Sequence, residues 1–308
     1  MLDTNVIVVV ASTFLLAGMV KGVIGLGLPA VTLGVLTVAF DLPSAMSLLL
    51  VPSFVTNLWQ ASVGGHSKAI LLRLWPFLVM ATVTVWVGAQ ALTRVDLSLL
   101  TALLGVLLVT YSMVTLRGIQ LTIPARHETL VGTLVGAANG VLTGMTGSSV
   151  VPGVMFLQAI GLPRDMLVQA MGMLFTASTL ALAVALQKAN ILTIEHGILS
   201  FGAVLPAILG MILGQRVRST LSERRFRKVF FVALLVLGAY IVASALASFT
   251  QHRSGFGRKD EAPDARVPSS HETKQGEPGR VGPLPQAPSE RAYHAPIPCR
   301  HRVSVQRR

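Results

Sequence analysis

Apolar runs long enough to cross a bilayer follow one another from residue 5 to residue 249, and almost no charge interrupts them. A helix needs about 20 apolar residues to span a hydrocarbon core about 30 Å thick. Six runs meet that length: 43–63, 74–93, 97–116, 165–186, 196–214 and 228–248. Soluble domains carry about 25% charged residues, whereas here 12% are charged and 52% hydrophobic, with a mean hydropathy of +0.68. The chain therefore reads as an all-α polytopic membrane protein, and an ordinary water-soluble enzyme does not fit.

Two further apolar stretches, 5–40 and 129–160, are interrupted near their middle by glycine clusters. The first cluster is Lys21-Gly22-Val23-Ile24-Gly25-Leu26-Gly27-Leu28-Pro29, and the second runs from Asn139 to Ser149. Glycine and proline at this density are expected to break a helix. The stretches also correspond: Gly18-x-x-Lys21-Gly22-Val23 aligns with Gly136-x-x-Asn139-Gly140-Val141 at an offset of 118, and Leu42-Pro43 with Leu162-Pro163 at 120. This is the pattern of an internal repeat of about 120 residues. It divides the chain into a first membrane repeat (1–125), a second (126–250) and a tail (251–308). Each repeat would hold one Gly-rich broken or re-entrant segment plus three spanning helices. Matched Gly/Pro-interrupted segments in two halves point to a transporter's binding site.

Two crossing patterns are open. The arms 129–139 and 150–160 have 11 residues each, or roughly 16 Å as helix, about half a hydrocarbon core. They make either a single broken crossing, for eight crossings in all, or a re-entrant hairpin, for six plus two hairpins. With eight crossings, the loop cations divide almost evenly between the faces. With hairpins, Lys68, Arg73, Arg117, Arg126, Arg164 and the six from Arg216 to Lys228 share one face, leaving only Arg94 and Lys188 opposite. The excess of cations on cytoplasmic loops favours the hairpins, with both termini outside the cytoplasm.

The net charge of +12 splits into 14 Lys/Arg against 7 Asp/Glu in residues 1–250, and 11 against 6 in the tail. That is loop and tail charge, not a nucleic-acid footprint. The tail holds half of the 16 prolines and 14 hydrophobic residues among 58, a composition expected to stay disordered. A basic tether to anionic lipid is its functional alternative. Met1 to Asn5 lack the positive start of a cleaved signal, so the first apolar run is expected to be retained.

Inside the apolar runs there is no Asp or Glu, which argues against a cation pump built on carboxylates. Asp41 and Asp165 sit at run ends, where a helix N-terminus favours negative charge. Lys21 is the one charge within an apolar run; it either snorkels to the interface or serves a substrate. Glycine lets backbone approach a ligand, and helix N-termini at mid-depth offer N–H groups to an anion. The candidate site is therefore Lys21, Gly22, Gly25 and Gly27 from the first cluster, with Asn139, Gly140, Thr143, Gly144, Thr146, Gly147, Ser148 and Ser149 from the second. Asn57, Gln60 and Gln158 are added as pathway-lining groups. The alternative for the glycines is close helix packing through small residues.

Catalytic patterns are missing. His127-Glu128 is followed by Thr129-Leu130-Val131, not a second zinc-binding histidine, and neither a Walker A sequence nor a Gly-x-Ser-x-Gly elbow occurs. Cys299 alone makes no disulfide or metal cluster. No metal, no cofactor and no nucleic acid are expected.

The chain resembles the TauE/SafE family of sulfite-exporter-like membrane permeases over about residues 8–248. The resemblance is carried by Ala17-Gly18-x-x-Lys21-Gly22-x-x-Gly25-x-Gly27 and Leu42-Pro43 with Asn57-Leu58-Trp59-Gln60. The second half adds Gly136-x-x-x-Gly140-x-x-x-Gly144-x-x-Gly147 and Leu157-Gln158-Ala159-x-Gly161-Leu162-Pro163. It departs at Leu28-Pro29 and Ser148-Ser149, where members often continue with more glycine. The resemblance implies a multi-pass bacterial inner-membrane transporter of sulfite, sulfonates or related small organic anions. An anion channel with the same site, or a membrane scaffold or sensor, are the other expectations. The sequence leaves the oligomeric state open.

Overall fold

The computed structural model describes residues 3–119, 121–218 and 223–256, and among these every regular element is helical. The expected tail, 251–308, lies outside the described residues apart from its first six, which continue the last helix. In chain order the helices are α1 (Thr4–Ile24), α2 (Leu28–Ala39), α3 (Leu42–Ser62), α4 (Ser67–Val83), α5 (Val85–Ala89) and α6 (Leu97–Leu116). They continue with α7 (Glu128–Thr146), α8 (Met155–Ala159), α9 (Arg164–Lys188), α10 (Ile194–Gly202), α11 (Val204–Arg218) and α12 (Glu223–Phe256).

Among the described residues, eight helical stretches are long and apolar enough to cross a membrane: α1, α3, α4 with α5, α6, α7, α9, α10 with α11, and α12. Large apolar side chains such as Leu72, Leu130, Leu134, Phe201 and Val229 lie on the outside, a surface suited to lipid and not to water. Three of the acids in the described body cap helices. Asp3, Asp41 and Asp96 cap α1, α3 and α6 by accepting from Asn5, Ser44 and Ser98 N–H at 3.1, 2.7 and 2.8 Å. The start of α4 at Ser67 precedes the expected 74. Its Arg73 is accommodated by a bidentate pair with Glu128 of α7, both contacts 2.7 Å, so the charged turn belongs to the helix.

The breaks fall later than the sequence suggests. Lys21 and Gly22 lie inside α1, and Asn139, Gly140 and Gly144 lie inside α7. The first arm of the second segment is thus 19 residues long, not 11. Each helix stops at a left-handed glycine: Gly25 at φ 86° and Gly147 at φ 75°. Each of these donates its N–H to the carbonyl four residues back, Lys21 and Thr143 respectively, at 2.7 Å.

The internal glycines explain themselves by contact. A Cβ on Gly18 or Gly22 would strike the carbonyls of Ala207 and Met211 in α11; one on Gly140 or Gly144 would strike Ala81 and Val85 of α4 and α5. Between helices in lipid there is little hydrophobic driving force, so backbone approach through small residues supplies the packing. The rising numbers show that α1 runs parallel to α11, and α7 parallel to α4 and α5. The other main pairs are α3 with α9 and α6 with α12. Gln60 of α3 donates to the Val168 carbonyl of α9 at 2.8 Å, while Ser53 meets Thr179, so that pair is antiparallel.

Candidate functional site

Lys21 sits one turn before the Gly25 break and is 4% exposed. Its Nζ donates to Thr56 Oγ1 at 3.1 Å and to Asn57 Oδ1, both on α3. Both partners are neutral, so neither balances the ammonium charge, and an ammonium has three donors to place. The side chain is held by a polar stripe: Ser53, Thr56, Asn57 and Gln60 recur at i, i+3, i+4 and i+7 and share one face of α3. Asn57 Nδ2 in turn donates to Ser53 Oγ at 2.9 Å.

This group borders a cavity of about 420 Å³ lined by Lys21, Gly22, Gly25, Thr56, Gln60 and Gln215, with Arg164 and Asp165 also on its wall. Gln60 ties the wall together, donating to the Gly25 carbonyl at 3.3 Å and to Val168 of α9. The cavity lies where the ends of α1, α3 and α11 meet the start of α9. Its size is that of a small-molecule pocket, and its polar lining combines the buried Lys21 with Arg164, the carboxylate of Asp165, the hydroxyl of Thr56 and the amides of Gln60 and Gln215.

The second cluster is closed. Thr143, Gly147 and Ser149 line a cavity of about 10 Å³ together with Pro29, Ser53 and Thr179. Thr143 Oγ1 lies 2.9 Å from Ser149 Oγ and also donates to the Asn139 carbonyl at 2.7 Å. Pro29, in the first turn of α2, brings the two broken segments to one place.

The remaining sequence candidates divide. Gly140 and Gly144 pack α7 against α4 and α5. Gly27 holds φ 109° against Val20 and Phe230, and Thr146 bonds its own helix through the Leu142 carbonyl at 2.7 Å. Asn139 Oδ1 accepts from Gly153 N at 2.9 Å, bracing the returning arm, while its Nδ2 and the Ser148 hydroxyl have no hydrogen-bond partner. Gln158 is away from both clusters, on a separate cavity of about 510 Å³ with Arg227 and Thr115. The sequence reading missed Ser53, Thr56, Arg164, Asp165, Thr179 and Gln215. The i, i+3, i+4, i+7 spacing on α3 was a usable signal for the first two; the others depend on tertiary placement. Among the described residues no group of three or more His, Cys, Asp or Glu could hold a metal ion.

The model of the sulfite exporter TauE/SafE family matches residues 10–241, from within α1 to within α12. No curated protein and no solved structure matches the chain.

Proposed function

The chain belongs to the sulfite exporter TauE/SafE family, a family of membrane transporters, and from that premise we propose a secondary carrier of small anions that binds its substrate at Lys21. Sulfite, sulfonates and related organic anions are the proposed substrate class, and the bacterial inner membrane the proposed location. The observation that carries the reading is the buried Lys21 ammonium, held by two neutral groups on the wall of a 420 Å³ cavity. An anion there supplies the opposite charge that a cation at membrane depth requires. Gly22 and Gly25 keep the backbone wall thin, Thr56 and Gln60 are committed to holding Lys21 and the wall, and Gln215 adds an amide to the lining.

The crossing pattern we adopt keeps both hairpins, α1 turning back through α2 and α7 through α8, with the first arm of each long enough to cross by itself. Its support is the level at which each arm ends. α1 reaches the end of α11 (Gly22 against Met211 and Gln215), and α2 returns to the start of α3. In the second half, Phe156 of α8 stacks on Phe77 with ring centroids 4.8 Å apart and fills the space beside Gly132, near the start of α7. Both arms of that segment thus end beside Arg73, whose guanidinium also donates to the Ile160 carbonyl at 3.4 Å. In this arrangement the eleven loop cations face the cytoplasm, and the Lys21 cavity opens to the same side.

A two-fold repeat in the register 122 accounts for the packing better than 118. Gly18 and Gly140, Gly22 and Gly144, and the left-handed Gly25 and Gly147 are each 122 apart, and so are Met46 and Val168, which Gly147 and Gly25 face; the α4 and α11 partners of the other glycines, Ala81 with Ala207 and Val85 with Met211, are 126 apart. Lys21 then corresponds to Thr143, one turn from Asn139. The register also favours a carrier over a channel. Trp59, Gln60, Val63 and Gly64 on the open side are exposed or half-buried, while their counterparts Ala181, Leu182, Ala185 and Leu186 are all buried. One side is open and the equivalent side is shut, as alternating access requires.

The test is flux of sulfite, short sulfonates and small carboxylates in proteoliposomes holding the full chain. A carrier accelerates efflux of one substrate when another is supplied opposite; a channel passes current without that exchange. Flux that survives Lys21→Ala unchanged would remove the proposed site.

A further inference from the structure

Four hydroxyls from four separate segments converge on the cavity of about 10 Å³: Ser53 of α3, Thr143 of α7, Ser149 of the break and Thr179 of α9. All four are buried, at 1%, 1%, 5% and 9% exposure. Thr143 and Ser149 pair at 2.9 Å, Thr143 also donates to the Asn139 carbonyl at 2.7 Å, and Ser53 accepts from Asn57 Nδ2 at 2.9 Å. The weakest contact is between Ser53 and Thr179, 3.4 Å apart. Gathering four polar groups in so dry a place costs stability that an all-apolar lining would avoid. The cluster is joined to Lys21, since Asn57 bonds both the ammonium and Ser53. In the register 122, Thr143 and Thr179 hold the positions of Lys21 and Asn57.

We infer that Ser53, Thr143, Ser149 and Thr179 form a second, uncharged station for the transported oxyanion, occupied when the protein opens to the opposite face. This rests on the carrier reading and extends it. Hydroxyl donors suit the oxygens of a sulfite or sulfonate group, and donors to an anion make the stronger hydrogen bonds. At its present size the cavity has room for about one water, so the anion enters only when the second hairpin and α9 separate. The two stations differ in charge: Lys21 captures the anion on the cytoplasmic side, and a neutral station holds it less tightly, which favours release outside.

The experiment compares Thr143→Val, Thr179→Val and Ser149→Ala with Thr143→Ser and Thr179→Ser, all in the full chain. Sulfite and methanesulfonate are the probes, for equilibrium binding to purified protein and for efflux from proteoliposomes. Losing one donor to an anion is expected to slow efflux about tenfold or more, while binding at the Lys21 side changes by less than about threefold. The serine variants, which keep the hydroxyl, should recover most of the efflux. A packing role gives the reverse order, because valine preserves the shape of threonine and serine leaves a gap. Efflux at the wild-type rate in the valine and alanine variants, or serine variants slower than valine ones, overturns the second station. Should a valine variant fail to fold, Ser149→Ala decides alone, since it lies outside the helices and removes one oxygen. Lys21→Ala separates the two ideas. Lost binding in Lys21→Ala with full efflux in the hydroxyl variants sinks only the second station. Unchanged binding in Lys21→Ala sinks the carrier site and this station with it.

Discussion

After α1 the chain turns at Gly25 and leaves Lys21 beside a cavity of about 420 Å³; after α7 it turns at Gly147 and leaves Thr143 beside one of about 10 Å³. The backbone device is the same in both, down to the 2.7 Å bond from the glycine N–H to the carbonyl four residues earlier. The surroundings differ. Around the first break stand a cation, amides and exposed residues; around the second stand hydroxyls and buried Leu49, Leu50, Phe175 and Leu182. What this teaches is that backbone likeness and functional asymmetry are set by different residues. Glycines at the helix contacts set how closely α1 and α7 pack on their neighbours, while the side chains one turn before each break, Lys21 and Thr143, differ in charge.

The largest expected effect tests the shared part. Gly22→Leu and Gly144→Leu should each abolish accumulation of folded protein, because the new side chain would meet the Met211 or Val85 carbonyl, which no rotamer change can clear. Expression level and thermal unfolding of the purified protein measure it. A stable Gly144→Leu protein alongside an unfolded Gly22→Leu protein would break the equivalence of the two hairpins.

Next comes the part that is not shared. Lys21→Ala should weaken anion affinity roughly 10- to 150-fold, the worth of one desolvated charge-assisted hydrogen bond of about 1.5–3 kcal/mol. Lys21→Arg should restore only part of it, since a planar fork does not fit the position that Thr56 and Asn57 shape for a compact ammonium. Titration of sulfite into folded variants is the measurement. Equal losses in Lys21→Ala and Thr143→Ala would sharpen the comparison in the other direction, by making both breaks equal partners in the resting state.

The spans were legible because composition alone decides what can face lipid, and the expected run 97–116 coincides with α6. The breaks were misplaced by about one turn in the first segment and about two in the second, for a physical reason. In water, a helix rich in glycine is weak, but between membrane helices the same glycines are contact points, so Gly22, Gly140 and Gly144 sit inside helices. The same displacement accounts for the offset of 118 that pairs Lys21 with Asn139. Of the site, Lys21, Gly22, Gly25 and Gln60 were readable as polar or glycine residues out of place in an apolar run, and all line one cavity. Arg164, Asp165 and Gln215 were not, since they follow from the docking of α9 against α3 and of α11 against α1. Gln158, read with Asn57 and Gln60 as a pathway-lining group, belongs to a different cavity.

A third expectation probes the open and shut sides directly. In a Cys299→Ser background, Trp59→Cys should react readily with a membrane-impermeant thiol reagent applied from the cytoplasmic side. Its counterpart Ala181→Cys should resist the reagent from either side. Trp59 is 65% exposed and Ala181 5%. Adding sulfite during labelling should slow the first and, as the carrier cycles, speed the second. Equal reaction of both cysteines without substrate would mean that the asymmetry of the two breaks is not a property of the resting protein.

The smallest effect on affinity is expected at Asn139, and its smallness is informative. In the 118 register Asn139 is the partner of Lys21, and its removal would weaken anion binding measurably. The geometry gives Asn139 a bracing role instead, because its Oδ1 accepts from Gly153 N at 2.9 Å and fixes the arm that returns from the second break. Asn139→Ala leaves that buried N–H without an acceptor, at a cost of about 1–3 kcal/mol. The expected outcome is a lowered unfolding temperature with sulfite affinity within about threefold of wild type, since less than about 0.7 kcal/mol separates the two. Asn139→Leu should be destabilised as well, because leucine keeps the branched shape of asparagine but has no oxygen to accept from Gly153 N. An Asn139→Ala protein of normal stability that binds sulfite as weakly as Lys21→Ala would restore the 118 pairing and make the two breaks a matched pair of anion-binding tips.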